Sequence, residues 1–278
     1  MKIASKEYVV RRMTSLMIAP KKKFSQNFLI DESVVEESIE ALSIEKDDAL
    51  IEVGPGLGAL TERLLESGNP LFAYEIDPDL CAHLRDRFSV FPTFHLYEQD
   101  FLKADLSPYR DRPVKVISNV PYHITTPIIE KIITSGIQVS TFEFMVQREV
   151  YSRIKAGKGS KDYLPLNIFI DYVGVLECVK KVGKDKFLPS PNVDSVILKI
   201  DFNRPRVERE WELLFFDVVR ACFFQRRKTV QNNLIRFLKD KEKVGEVLQK
   251  SGIDPEKRGE ELGKEEYLRL SRNILNIR

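Results

Sequence analysis

The sequence predicts an α/β domain, a parallel sheet covered by helices on both faces, followed by a smaller all-helical domain. Three observations carry that prediction. From Ala49 onward short apolar runs alternate with amphipathic stretches, the pattern of strand–helix crossovers. A glycine-rich turn, Gly54-Pro-Gly56-Leu-Gly58, follows the first run and precedes a helical stretch. After Asn203-Arg-Pro205 the strand pattern stops and only helical spacing remains.

The elements follow in order. Residues 49–53 form the first strand, and 60–65 open a helix of good helix formers. Residues 70–75 read as a second strand, followed by an amphipathic stretch over 80–88. Residues 94–98 and 114–118 supply a third and a fourth strand. Ile128, Ile129, Ile132 and Ile133 recur at helical spacing after Pro127, and 141–146 reads as a fifth strand. Two further strands, 173–181 and 195–202, are joined by a long Pro-bearing loop that fits no tight hairpin. Residues 211–224 and 234–248 then carry helical periodicity, and Gly252, Pro255, Gly259 and Gly263 punctuate short helices near the end. The expected division is 1–203, with 1–30 as an N-terminal arm, and 204–278.

Composition excludes several classes. No apolar run approaches the ~18 residues of a membrane span. The 17 Phe and 9 Tyr supply enough core material to rule out a disordered chain. Three Cys and three His, widely spaced, build neither a disulfide framework nor a zinc cluster, so buried free thiols and no metal are expected. Arg11, Arg12 and Ser15 hint at a transit peptide, but no apolar segment of a signal peptide follows them, and the cytoplasm is the expected compartment. The net charge of +2 says little; its distribution says more. Residues 1–27 are net +6, 148–161 net +4, and 218–239 net +6 without one acidic residue, leaving the rest of the chain net acidic. Such concentration suggests a polyanion, and nucleic acid in particular, as partner.

The turn Glu52-Val-Gly54-Pro-Gly56-Leu-Gly58-Ala59 lets backbone approach a ligand closely. Glu75, at the end of the next strand, suits ribose hydroxyls. These two features fit a nicotinamide dinucleotide and S-adenosylmethionine equally well. Later features separate them. Asp100 follows the third strand, where a carboxylate can accept from an adenine amine, and Asn119-Val120-Pro121-Tyr122 follows the fourth. A dehydrogenase needs an acid/base group beside the nicotinamide; His123 is the one His near that edge and reads as structural.

Amine methylation, by contrast, needs what that turn offers. An adenine amino nitrogen shares its lone pair with the ring, and acceptors on its two N–H groups favour the nucleophilic, pyramidal form. Asn119 Oδ1 and the Val120 carbonyl are suited to this, Pro121 fixes the direction of that carbonyl, and Tyr122 offers a face for stacking.

Lys22-Lys-Phe24-Ser-Gln26-Asn27-Phe28-Leu29, the Gly54 to Gly58 turn, Asn119 to Tyr122, and Phe187-Leu-Pro189-Ser-Pro191-Asn-Val193-Asp-Ser195 resemble the motifs of the ribosomal RNA adenine N6-dimethyltransferases. So do Arg226-Arg-Lys-Thr-Val-Gln-Asn-Asn-Leu234 and Lys257-Arg-Gly-Glu-Glu-Leu262, so that the likeness spans most of the chain. It is greatest to the bacterial small-subunit (16S) type linked to kasugamycin sensitivity. The resemblance implies a Rossmann-like methyltransferase domain with a helical RNA-binding domain. It implies S-adenosylmethionine bound by Asn27, Leu29, Gly54, Glu75, Asp100 and Asn119, and a target amine held by Asn119, Val120, Pro121 and Tyr122 with Phe187 closing the other face of the base. The implied product is N6,N6-dimethyladenosine at two adjacent adenines near the 3′ end of 16S ribosomal RNA, formed late in small-subunit biogenesis by a monomer, with no membrane partner. Arg148, residues 155–161 including Lys158, Arg226, Arg227, Lys228 and the arm's Lys21, Lys22 and Lys23 are the expected phosphate contacts. The sequence departs from the family at Val120, where Leu or Ile is usual, and at Leu164-Pro-Leu-Asn167, where Gly and Ser are more common. The alternatives are the macrolide-resistance dimethyltransferase of large-subunit RNA and a non-catalytic nucleic-acid binder of the same fold.

Overall fold

The computed structural model of the chain describes residues 2–15, 26–203 and 207–277, with the backbone alone for Tyr122 and His123. Lys21, Lys22 and Lys23 lie outside the described residues. In chain order the elements are α1 (Lys6–Ser15), β1 (Phe28–Leu29), α2 (Glu32–Leu42), β2 (Ala49–Val53), α3 (Ala59–Glu66), β3 (Leu71–Glu75), α4 (Pro78–Phe88), β4 (Phe94–Glu98), β5 (Pro113–Ser118), α5 (Tyr122–Thr134), β6 (Gln138–Gln147), α6 (Arg148–Ile154), α7 (Pro165–Val173), β7 (Gly174–Val182), β8 (Phe187–Leu188), β9 (Ser195–Phe202), α8 (Arg209–Phe223), α9 (Val230–Leu238), α10 (Lys241–Ser251) and α11 (Lys264–Leu275).

Two compact units form, Met1–Glu149 with Val175–Phe202, and Val150–Gly174 with Asn203–Arg278. This differs from the expected division after residue 203, because residues 150–174 group with the second unit. The reason is packing between segments distant in sequence. Phe169 of α7 meets Phe216 of α8 edge-on at 4.8 Å, and Tyr172 lies 4.7 Å from Phe215.

The first unit holds a seven-stranded sheet of order β4-β3-β2-β5-β6-β9-β7. Strands β4, β3, β2, β5 and β6 pair in parallel. Strand β9 runs antiparallel to β6, so the sheet is mixed at one side rather than parallel throughout. All five residues of β2 are buried, as expected of a central strand covered on both faces. The chain runs outward from β2 through β3 to β4 and then crosses back to β5 on the other flank of β2. That reversal is where open α/β sheets leave a crevice at the carboxyl ends of their strands.

The caps explain several boundaries. The Asp31 carboxylate accepts the Ser33 and Val34 amides at the start of α2. Asp77 does the same for Asp79, with Pro78 at the first helical position of α4. Helix α5 begins at Tyr122, before Pro127 rather than after it, and carries Pro127 inside. In the second unit the expected helix over 234–248 divides in two. Lys239 adopts φ 58° to end α9, and the Asp240 carboxylate caps α10 by accepting the Lys243 amide at 3.0 Å. Cys81 and Cys222 are buried thiols, whereas Cys178 is exposed, because the strand carrying it has a largely solvated face.

At the opposite ends of the strands from the crevice, Lys115 of β5 and Asp48 form a buried ion pair at 3.1 Å. Asp48 also accepts the Glu45 amide at 2.7 Å, and the Lys115 ammonium donates to the Ser43 carbonyl. Removing one member of such a pair leaves an uncompensated buried charge. Lys115→Met is therefore expected to lower the unfolding free energy by ~3–5 kcal/mol, and a Lys115→Met, Asp48→Asn double variant to lose less than the sum of the two singles. Urea denaturation of the four proteins checks this; strict additivity would show that the two charges do not interact.

Candidate active site

Strands β2, β3, β4 and β5 all end at one cavity of about 340 Å³ in the first unit. Of the residues singled out in the sequence, Asn27, Leu29, Gly54, Glu75, Asp100, Asn119, Val120, Pro121 and Phe187 line it. The stacking role expected of Tyr122 falls on a side chain outside the described residues.

The turn after β2 is shaped by its glycines. Gly54 sits at φ 75°, donates its amide to the Tyr74 carbonyl at 2.9 Å, and would place a Cβ 2.7 Å from Val120 Cγ1. Gly58 opens α3 at φ 90°, where a Cβ would lie 2.6 Å from the Phe88 ring. Neither position admits a side chain without strain and a clash.

Glu75 is buried and committed to backbone amides. Oε1 accepts from Ile76 at 2.9 Å and Asp77 at 3.0 Å, and Oε2 accepts from Gly56 at 3.2 Å. Burial raises its carboxyl above the usual range, against the three amide bonds that lower it. A carboxylate oxygen accepts two hydrogen bonds, so Oε2 keeps one position for a donor from the cavity. Asp100 uses Oδ1 to cap the turn of Phe101–Lys103, accepting the Leu102 amide at 2.9 Å, and leaves Oδ2 without a donor among the described residues. Among the described residues the Asn119 side chain also makes no hydrogen bond. In the turn itself Val120 is buried and Pro121 sits at φ −52°, ψ 134°. The Pro121 carbonyl is taken by the Ile124 amide at 3.1 Å.

The other wall comes from segments far apart in sequence. β1 pairs with β8, Leu29 opposite Phe187, and the Ile30 amide donates to the Lys186 carbonyl at 2.9 Å. Lys186 also pairs with Asp31 at 2.6 Å, which holds the Asp31 carboxyl down at about 2.

Sequence reasoning missed several site residues. Ile3, and Val9 of α1, line the cavity from the N-terminal arm. Lys131 of α5 donates to the carbonyls of Leu102 and Ala104, at 3.0 and 2.7 Å, and so anchors the segment that presents Asp100. A lysine set among four isoleucines, Ile128, Ile129, Ile132 and Ile133, was the available signal. Glu52, quoted only as part of the glycine motif, lies beneath the cavity. Its Oε2 accepts the Thr61 hydroxyl at 2.7 Å, and its Oε1 has no partner among the described residues.

The expected RNA contacts are exposed, but not all are uncommitted. Arg148 opens α6. Lys158 pairs with Glu266 at 2.5 Å, and Arg226 donates to the Lys161 carbonyl at 2.7 Å. Arg227 and Lys228 make no ion pair among the described residues. Asn167, in the stretch that departs from the family pattern, is structural. Its amide donates to the carbonyls of Arg153 and Ile154, both at 2.8 Å, and its Oδ1 accepts the Leu164 amide at 2.8 Å.

Residues 17–275 match the family described as ribosomal RNA adenine dimethylase. The chain belongs to that family. It is similar to the ribosomal RNA small subunit methyltransferase A of Clostridium botulinum (strain ATCC 19397 / Type A), with 39% identity over 92% of this chain and 94% of the relative. Two solved structures resemble it as wholes. A dimethyladenosine transferase from Plasmodium falciparum has a TM-score of 0.68 at 25% identity, over 87% of this chain and 95% of that one. The 23S ribosomal RNA methyltransferase ErmE has a TM-score of 0.62 at 27% identity, over 89% and 99%. The chain is thus a Rossmann-like α/β methyltransferase of the adenine dimethylase family, and the cavity lies where that fold places its ligands.

Two predictions follow from the geometry. Gly54→Ala is expected to destabilise the protein by ~1–3 kcal/mol through positive φ and the Val120 clash. Adding Val120→Ala should recover part of that loss by removing Cγ1; no recovery in thermal melts would show that the contact does not matter. Burial also pushes the Glu52 carboxyl up to about 8, with the Thr61 bond opposing and the Glu75 charge adding to the rise. A folded value raised above the unfolded one means that stability is fully present below the unfolded value and is lost as pH rises towards 8. Glu52→Gln should therefore flatten the fall in stability between pH 5 and 9, read by urea titrations across that range; an unchanged slope would assign it to other groups.

Proposed function

We propose that the chain dimethylates the N6 amines of two adjacent adenines near the 3′ end of 16S ribosomal RNA, in the small subunit or its precursor. The reading places it in the cytoplasm, as a monomer, acting late in subunit biogenesis with S-adenosylmethionine as donor. The observation that carries it is the convergence of the Asn119-Val120-Pro121 turn with Glu75 and Asp100 on one cavity, in a chain alike end to end to a small-subunit methyltransferase. The likeness to ErmE keeps large-subunit RNA as the second reading.

The donor-set chemistry fits the cofactor. The open acceptor position of Glu75 Oε2 suits a ribose hydroxyl, and Asp100 Oδ2 suits an adenine amine. Asn27, Leu29, Gly54 and Asn119 complete the site. Bound there, S-adenosylmethionine supplies an electrophilic methyl group. The protein's own task is the acceptor. A target adenine is splayed from its RNA stack, least costly in a loop. Asn119 Oδ1 and the Val120 carbonyl accept hydrogen bonds from its amine and favour the pyramidal nitrogen as charge develops. Pro121 holds that carbonyl's direction, and the Tyr122 and Phe187 rings sandwich the base. Arg148, Lys158, Arg226, Arg227 and Lys228 take the phosphates. For Lys158 this means giving up its bond to Glu266.

Methyl transfer from labelled S-adenosylmethionine to unmethylated small and large subunits, side by side with nucleoside analysis, tests the assignment. Dimethyladenosine is expected in the small subunit alone; label in the large subunit alone would select the second reading. Asn119→Ala is expected to lower kcat by ~100-fold or more, the scale of a lost transition-state hydrogen bond, while RNA affinity stays unchanged. Retained turnover would remove Asn119 from the mechanism.

A further inference from the structure

Phe224 is 60% exposed, more than any other described phenylalanine. It caps the carboxyl end of α8 at the corner leading into α9, immediately after the buried Phe223. One direction of approach is already covered, because the Arg236 guanidinium of α9 lies 4.0 Å from the centre of the Phe224 ring.

The corner is held from both sides of Phe224. Buried Asn233 donates to the Cys222 carbonyl at 2.9 Å and to the Gln225 carbonyl at 3.2 Å, and accepts the Gln225 amide at 3.1 Å. The Lys228 amide closes the turn on the Gln225 carbonyl at 2.8 Å, and Thr229 caps α9. The ring is thus exposed on a rigid support. Arg226, Arg227 and Lys228 follow it in sequence, and the run from 218 to 239, which also holds Arg236 and Lys239, contains no acidic residue.

We propose that Phe224, backed by Arg236, is a stacking platform for one unpaired nucleobase of the RNA, whose flanking phosphates are held by Arg227 and Lys228. The inference rests on the RNA-binding reading above and adds to it a site that neither charge nor the catalytic cavity supplies. An aromatic ring with a cation on one face and solvent on the other binds a base by its π-face, whatever the base's identity. A local excess of positive charge selects a polyphosphate chain over an apolar protein segment as the occupant. The platform's residues are none of those assigned to methyl transfer, so it acts on substrate affinity and register.

Equilibrium binding of the full chain to fluorescently labelled, unmethylated small subunits and to protein-free 16S RNA tests this. Phe224→Ala is expected to weaken both by about 5-fold or more, with Phe224→Trp restoring binding, since stacking per base is worth ~1–3 kcal/mol. The dependence of affinity on salt should be unchanged in Phe224→Ala, because the ring neutralises no phosphate, whereas Arg227→Ala should reduce the slope by about 1. KM for methyl transfer should rise in Phe224→Ala without a change in kcat, and the melting temperature should stay that of the wild type. Wild-type binding by Phe224→Ala, failure of Trp to restore it, or a loss confined to intact subunits, which would mean a protein contact, would each overturn the platform. If the unaltered chain itself binds neither probe, the RNA-binding reading falls, and the platform with it.

Discussion

The close approach of the loop after β2 to the turn after β5 is the constraint on which the site depends. The two strands run parallel, with Val53 opposite Ser118, so their exits are level. The next residues on each chain, Gly54 on one side and Asn119 and Val120 on the other, must pass in contact. Val120 Cγ1 occupies the space that a Cβ on residue 54 would need, so only glycine allows a branched, buried residue at 120. Ligand-binding backbone and acceptor-holding turn are thereby packed into each other. On the other flank Val53 pairs with Tyr74 and Glu75 with Glu98, which brings Glu75 and then Asp100 to the same edge. Strands β3, β4 and β5, with β2 and its glycine turn between β3 and β5, each deliver one polar side chain to a single crevice, and none needs a long loop to reach it.

The opposite wall obeys a different logic. Phe187 reaches the cavity on a two-residue strand paired with Phe28 and Leu29, more than 150 positions earlier in the chain. Ile3, Leu29 and Phe187 belong to one buried apolar cluster with Val34, Val35 and Leu64. The Asp31–Lys186 ion pair and the Ile30 amide bond fasten the same two segments. Closing a loop of that length costs conformational entropy that grows slowly with length, and a continuous apolar contact offsets it more securely than one ion pair can. The wall that would press on a base is therefore held by hydrophobic burial.

Much of the parallel sheet was legible because its strands are short, largely apolar runs set between helical stretches, and β2 is buried throughout despite Glu52. The glycine turn, Glu75, Asp100 and Asn119 were legible as candidates because they lie at or just after the carboxyl ends of such runs, where the fold's topology leads ligands. What the sequence hid is what depends on partners distant along it. The antiparallel pairing of β9 with β6, the capture of residues 150–174 by the helical unit, and the packing of α1 onto the cavity have no local signature. The start of α5 was hidden by a local rule applied too strictly. Pro127 forfeits only its own amide bond, while Pro121 already supplies the conformation that launches the helix at Tyr122. The split between α9 and α10 depends on a single left-handed lysine, Lys239, followed by a capping aspartate; periodicity alone bridged it.

Charge runs in a sequence overstate the cations available to a polyanion. Within the second unit Lys158 and Lys257 converge on Glu266, whose carboxyl they help hold down at about 2, and Lys264 pairs with Asp171. Arg226 is tied to a backbone carbonyl. These groups stiffen the unit before they can meet a phosphate, and each must exchange a partner to do so. Among the described residues Arg227, Lys228 and Arg236 carry no such commitment; Arg227 and Lys228 follow Phe224, the most exposed described phenylalanine, and Arg236 covers its ring. An apolar ring at that place gains nothing for the fold, since Phe223 beside it already fills the core. Its support by Asn233 holds the corner rigid, so whatever meets the ring meets a surface already organised to receive it.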